Sequence, residues 1–546
     1  MFQGTGSDVG KSLLVAGLCR LFARHGLKVS PFKAQNMSNN AAVTDDGEEI
    51  GRAQFLQAIA AGIAPSVHMN PVLLKPQSDK TSQVIVRGKV VATMGAKEYQ
   101  KYRAELLPIV LESYHELAKN NDLILVEGAG SPAEINLRES DIANMGFARA
   151  ANIPVVLIGD IERGGVIASL VGTHAVLASE DRAMIRAFIV NKFRGDADLF
   201  TSGAEEIAKR TGWKNLGLVP HFADLVRLPQ EDSLALGKRQ EALGISEKKI
   251  NISVLKTPHI ANFDDIDPLA NAPNVRVSWI SAGEVIPANC ELVILAGSKS
   301  TISDLEFIKA QGWDIDLRAH IRRGGRVLGI CGGYQMLGKT LSDPHGAEGK
   351  PQTANGLGLL DVETIFAKEK AVNKWRGFVT PCLTRGLGIY SKTFELSLDP
   401  RLRGDDKKID GYEIHLGKTT GADCARPMFY TSSTYKGVVT PDLLGGLEQQ
   451  AMSENLALDP RAEAGMTSTP EGAISADGLV MGSYIHGVFT NDGFRDKFLS
   501  SLRGGMTDVA IQFNYNYHAQ IDRILNDWAD VLEQSIDIEK LLELAK

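Results

Sequence analysis

Arg326-Val327-Leu328-Gly329-Ile330-Cys331-Gly332-Gly333-Tyr334-Gln335-Met336-Leu337 reads as a buried strand, a sharp turn and a helix, with one cysteine at the apex. Glycines after a strand end let the backbone turn tightly and lift the thiol into an open pocket. The N-terminus of the following helix favours the thiolate, the reactive form. The same chain opens on Gly4-Thr5-Gly6-Ser7-Asp8-Val9-Gly10-Lys11-Ser12, a glycine-rich loop leading into the apolar helical run Leu13, Leu14, Ala16 and Leu18. Such a loop cradles phosphate in its backbone amides. A thiol nucleophile and a nucleotide loop in one polypeptide predict two coupled reactions.

At 546 residues the chain exceeds what one hydrophobic core supports, so two large domains are expected. Their boundary is placed in the charged stretch at residues 235–249, giving domains over 1–240 and 250–546. A composition of 44% hydrophobic and 23% charged residues is that of an ordinary globular enzyme. The formal charge of -7 argues against a nucleic-acid partner, since such surfaces carry a basic excess. Neither a bilayer span of about 18 apolar residues nor a signal peptide is read from the sequence, so no membrane partner is expected. Five cysteines (Cys19, Cys290, Cys331, Cys382 and Cys424) show no CxxC spacing, which suits a reducing cytoplasm without disulfides or a zinc site. Only Met1-Phe2-Gln3 precede the phosphate loop, where a full buried strand is usual. Either the first strand is short or, as we expect, the natural chain starts a few residues earlier.

Both halves alternate strand-like apolar runs with amphipathic stretches, the pattern of α/β sheets. In the first half the strands are Leu123–Val126, Pro154–Ile158 and Ala187–Val190, ending at Glu127, Asp160 and Asn191. Ligands of open α/β sheets gather at such carboxyl ends. In the second half they are Ile250–Val254, Leu292–Leu295, the strand before Cys331, and Leu479–Met481. Residues 400–475 read as a long loop-rich insertion. The tail from Ala519 carries Ile521, Ile524, Leu525, Trp528, Val531 and Leu532 at helical spacing and predicts closing helices.

Within the phosphate loop, Gly10, Lys11 and Ser12 are expected to bind the nucleotide, with Lys11 on the terminal phosphates and the Ser12 hydroxyl on magnesium. Thr5 stands where the strict motif has its first glycine, and the loop resembles the dethiobiotin synthetase variety of P-loop protein. Glu127, at a buried strand tip, suits a magnesium ligand, because a hard cation wants carboxylate beside its waters. A solvent-facing capping acid is the plainer reading of the same residue. Lys33 and the pair Glu48-Glu49 are candidates to complete the site, with Glu49 as a further metal carboxylate. Asn191 stands where a base contact or a turn asparagine is equally at home.

Cys331 needs a base, and His486 in Gly482-Ser483-Tyr484-Ile485-His486-Gly487-Val488-Phe489 follows a strand-like run and is flanked by glycine. Backbone amides of Ala296-Gly297-Ser298-Lys299-Ser300, with that of Gly332, are candidates for an oxyanion hole, though a plain connecting loop reads the same way. Gly329–Gly338 and Tyr484–Phe489 resemble a class I glutamine amidotransferase domain. That resemblance implies glutamine hydrolysis through a cysteine thioester, with release of ammonia. Most members carry a glutamate two residues after the histidine. Here Val488 stands in that place, a departure typical of the cobyrinate and cobyrate amidases, which leaves open what orients His486.

The resemblance to the cobyrinate and cobyrate amidases extends over nearly the whole chain. It rests on Pro31–Met37, Glu49–Gln54, Met69–Pro76, Glu127–Leu137, Asp160–Gly165, Asn191–Asp196 and Gly411-Tyr412-Glu413-Ile414-His415. It implies a dethiobiotin synthetase-like parallel-sheet domain, then a class I amidotransferase α/β domain with C-terminal helices. The implied activity is ATP- and Mg2+-dependent amidation of the b, d, e and g carboxylates of adenosylcobyrinic acid a,c-diamide, a corrinoid, with L-glutamine as nitrogen donor. Four amidations at one site imply a shallow pocket in which the corrinoid rebinds, with Arg163, Arg138 and Asn136 in suitable strings. A shielded passage for ammonia between the domains is likewise expected. The nearest rival, the a,c-diamide synthase, shares the two-domain plan, but Gln35–Met37 and Asn70–Pro76 favour the cobyrate side. A nucleotide-driven binding switch with an inactive thiol domain is the reading from another class, and the intact Cys331 and His486 argue against it.

Overall fold

Phe2–Gly4 is only three residues long, yet it is buried and begins the order of a four-stranded sheet. It pairs in parallel with Val155–Asp160, which pairs with Ile185–Phe193 and then Lys214–Pro220. On its other side a parallel bridge from Phe2 to Glu127 joins the parallel pair Leu123–Val126 and Val29–Phe32. Near-continuous apolar runs such as Val155–Ile158 are what a parallel sheet covered on both faces requires. A smaller sheet continues Gln35–Met37 through Val72–Pro76 and Thr81–Val86 to Lys89–Gly95.

The computed structural model describes residues 1–77, 81–231, 250–380, 408–431, 469–502 and 515–546. Two compact units emerge: Met1–Ile245 with His259–Asp267 and Tyr515–Lys546, and Ser246–Pro258 with Pro268–Asn514. The expected boundary at residues 235–249 lies wholly outside the described residues. The closing helices, expected in the second domain, belong instead to the first unit. The reason is packing. Tyr517–Ser535 buries its stripe Ile521, Ile524, Leu525, Trp528 and Leu532 in the core formed with the helix Lys11–Arg24. Trp528 Nε1 donates to Leu13 O at 2.8 Å, and Arg20 pairs with Asp522 at the rim.

The second unit has a six-stranded sheet in the order Val275–Ile280, Ile250–Leu255, Leu292–Leu295, Arg326–Ile330, Val480–Ser483 and Ala473–Ile474. Its strands run parallel except the last, which is antiparallel. Much of the expected insertion at 400–475 lies outside the described residues. Its described part is not simply loop: Lys408–Thr420 is a strand antiparallel to the long strand Glu363–Val379.

Candidate active sites

At the phosphate loop, Gly10 has φ 92°, a left-handed turn that starts the helix Lys11–Arg24. Lys11 Nζ curls over the loop, donating to Gly6 O at 2.8 Å and to Ser7 O and Gly130 O at 3.2 Å. Burial pushes its pKa down to about 8, an arrangement that an incoming phosphate would relieve. Ser12 Oγ donates to Glu127 Oε1 at 2.7 Å and to Glu231 Oε2 at 3.2 Å. Lys33 Nζ reaches the same two carboxylates at 2.9 Å and 3.4 Å. Burial alone would lower the Lys33 pKa, but Glu127 and Glu231 outweigh it and hold the ammonium above its ordinary value. Burial would likewise raise Glu127, yet Lys33, Ser12 and Gln57 keep it ionised and below its usual range.

The structure therefore brings together Lys11, Ser12, Lys33 and Glu127 and adds Glu231. Glu49, expected as a further metal carboxylate, is buried and paired with Lys75 on the strand Val72–Pro76, and Glu231 stands as a second carboxylate at Ser12. Asn191 donates its side-chain amide to Val9 O at 2.8 Å and braces the loop. A serine hydroxyl and two carboxylates form a hard oxygen set that fits magnesium.

At the thiol site, Cys331 takes φ 52° and ψ -110°, strained values for a residue with a Cβ. Its N–H donates to Ser483 O at 2.8 Å, and Sγ donates to Ile414 O at 3.4 Å. The tight fit behind it requires glycine: a Cβ on Gly333 would lie 1.9 Å from Leu295 O. One on Gly332 would lie 2.8 Å from Ser298 N, so those two backbones meet beside the thiol. Ile330 pairs with Ser483, and the chain then runs through Ile485–His486, which pairs with Tyr412–Glu413. The Tyr412 ring stacks on His486 with centroids 5.2 Å apart and planes at 18°. Thus the segment Gly411–His415 lies against both Cys331 and His486.

Val488 is buried, and its position carries no charge. Glu413 lies close enough to His486 for the two to interact electrostatically. Burial would raise its carboxyl, but His415, Asn373 and the charge of His486 hold it low. His415 stacks on Tyr484 at 3.8 Å and pairs with Glu413. Glu471 accepts from Ser483 Oγ and Tyr484 N, both at 2.7 Å, and burial pushes its pKa up to about 7. Sequence reasoning assigned no role to Glu231, Gln57, Tyr412 or Glu471. Tyr412 alone had a signal, since it lies in a string already singled out.

Among the described residues no helix is long and apolar enough to cross a membrane, and no three His, Cys, Asp or Glu side chains group as a metal centre. Residues 1–235 match the CobQ/CobB/MinD/ParA nucleotide binding domain, and 251–494 match the CobB/CobQ-like glutamine amidotransferase domain. The chain is 52% identical to the cobyric acid synthase of Methylorubrum populi, over 100% of this chain and 99% of that protein. It is 50% identical to that of Cereibacter sphaeroides and 49% identical to that of Paracoccus denitrificans, each over 100% of this chain and 99% of the relative.

Proposed function

The chain belongs to the cobyric acid synthase family, glutamine-dependent amide ligases of cobalamin biosynthesis, and we propose that it amidates the b, d, e and g carboxylates of adenosylcobyrinic acid a,c-diamide. Similarity over the whole chain, embracing both sites, is the observation that carries this reading. A carboxylate is a poor electrophile, so ATP first converts it to an acyl phosphate. Lys11 meets the terminal phosphates, whose negative charge offsets the burial that lowers its pKa. Ser12, Glu127 and Glu231 would hold magnesium, which supplies charge neutralisation on the phosphate oxygens when bound. Lys33 balances the two carboxylates.

In the second unit Cys331 Sγ attacks the glutamine carboxamide carbon. His486 takes the thiol proton and returns it to the departing ammonia. Amides of Ser298 and Gly332 receive the oxyanion, and water then cleaves the thioester to glutamate. Free ammonia is mostly protonated at neutral pH, so internal delivery keeps it nucleophilic. ATP, glutamine and the corrinoid are the partners this chemistry needs.

The test is mass spectrometry of adenosylcobyrinic acid a,c-diamide after incubation with the protein, ATP, magnesium and amide-labelled glutamine. We expect stepwise gain of four labelled nitrogens, abolished in Cys331→Ser and restored there by added ammonia. ATP hydrolysis without labelled product would sink the cobyrate assignment.

A further inference from the structure

Gln57 lies on the helix Arg52–Ala61 and is 0% exposed. Its Nε2 donates to Glu127 Oε2 at 2.7 Å and to the backbone oxygen of Ser12 at 3.1 Å. Both partners are acceptors, which settles the amide's orientation. The other Glu127 oxygen accepts from Ser12 Oγ and Lys33 Nζ. Both carboxylate oxygens are therefore held, and the neutral side chain holds the one that the lysine does not. The arrangement leaves Gln57 Oε1 buried without a hydrogen-bond partner, a cost that an apolar side chain of the same length would avoid. Packing alone does not account for it.

We infer that Gln57 is the positioning residue of the phosphate site: it fixes the rotamer of Glu127 and ties the loop serine to the second helix. The inference rests on the reading of Ser12 and Glu127 as a magnesium–nucleotide site. An amide suits the task because one nitrogen carries two N–H groups and no charge. A lysine there would neutralise Glu127 a second time and weaken its pull on a dication. A glutamate would set carboxylate against carboxylate. The helix itself is anchored, since Gly51 N donates to Asn70 Oδ1 at 3.2 Å and Gln54 Oε1 accepts from Asn36 Nδ2 at 3.0 Å. The amide is thus held in place before any ligand arrives.

The experiment is calorimetric titration of the full-length protein with ATP, once with magnesium and once with EDTA. In Gln57→Met we expect affinity with magnesium to fall about tenfold or more, with affinity in EDTA changed less than about twofold. In a Glu127→Gln background the same substitution should add nothing, because its effect runs through Glu127. If the methionine variant does not fold, Gln57→Asn withdraws the nitrogen by one methylene and should show the same selective loss. Equal weakening in both titrations, or no change in either, overturns the inference. A parent protein whose ATP affinity ignores magnesium overturns the underlying site reading, and the inference falls with it.

Discussion

The places of Cys331, Lys11, Ser12 and Glu127 in the fold could be read from the sequence because each sits in a short string whose spacing carries its own physics: a strand end, a turn, a helix start. Gln57 and Glu231 could not. They reach Ser12 from 45 and 219 residues away, and nothing in their neighbourhood marks them. Glu49 stands in a suggestive string, and the fold buries it against Lys75. Glu471 was equally silent, although its carboxyl braces the strand end that leads to His486. Its pKa rises from 4.5 to about 7 on burial, so the folded state binds the extra proton between those values. Stability from the neutral acid is present at low pH and is lost as pH climbs through about 7. Unfolding of the parent and of Glu471→Gln at pH 5 and pH 8 checks this. The parent should lose on the order of 2–3 kcal/mol relative to the variant between the two. Glu348 shifts in the same direction but titrates in both proteins and cancels. An equal gap at both pH values would remove Glu471 as the source.

At the scale of elements, the parallel strands were legible because fully buried strands read as unbroken apolar runs. Leu123–Val126 and Leu292–Leu295 fall where the sequence places them. The antiparallel pair Glu363–Val379 and Lys408–Thr420 was not, since it mixes polar and apolar residues and carries Gly411 and Gly417. Its stability lies in pairing between strands, which no local pattern reports. Gly411 shows what that pairing does for the site. A Cβ there would lie 2.5 Å from His486 O and 2.6 Å from Ile485 Cγ2, so only glycine lets this strand press against the histidine. Gly411→Ala should displace Tyr412 from the His486 ring. We expect glutamine hydrolysis to fall roughly 10–100-fold in kcat, as small misplacements of reacting groups do. ATP affinity should be unchanged. Unaltered hydrolysis in a folded variant would show that the strand does not set the histidine's position.

For the whole molecule, two α/β halves follow from alternation of apolar and amphipathic runs, but chain order alone says nothing of where the last helices dock. Tyr517–Ser535 has an apolar stripe, and it buries that stripe on the helix that begins with Lys11, at the opposite end of the sequence. This late helix therefore supports the phosphate loop's own helix, and Trp528 Nε1 caps the contact at Leu13 O. Coupling of the two chemistries is the property of the whole chain that remains to be measured. If ammonia passes from Cys331 to the acyl phosphate without entering solvent, nitrogen from labelled glutamine cannot mix with nitrogen outside. Product made from labelled glutamine in a large excess of unlabelled ammonium, near neutral pH, should then keep most of its label. Raising the pH increases free ammonia and should dilute the label gradually. In Cys331→Ser the label should vanish while amidation by ammonium continues. Full dilution in the parent protein at neutral pH would mean that ammonia escapes before use, and internal delivery would have to be abandoned while both active sites stand.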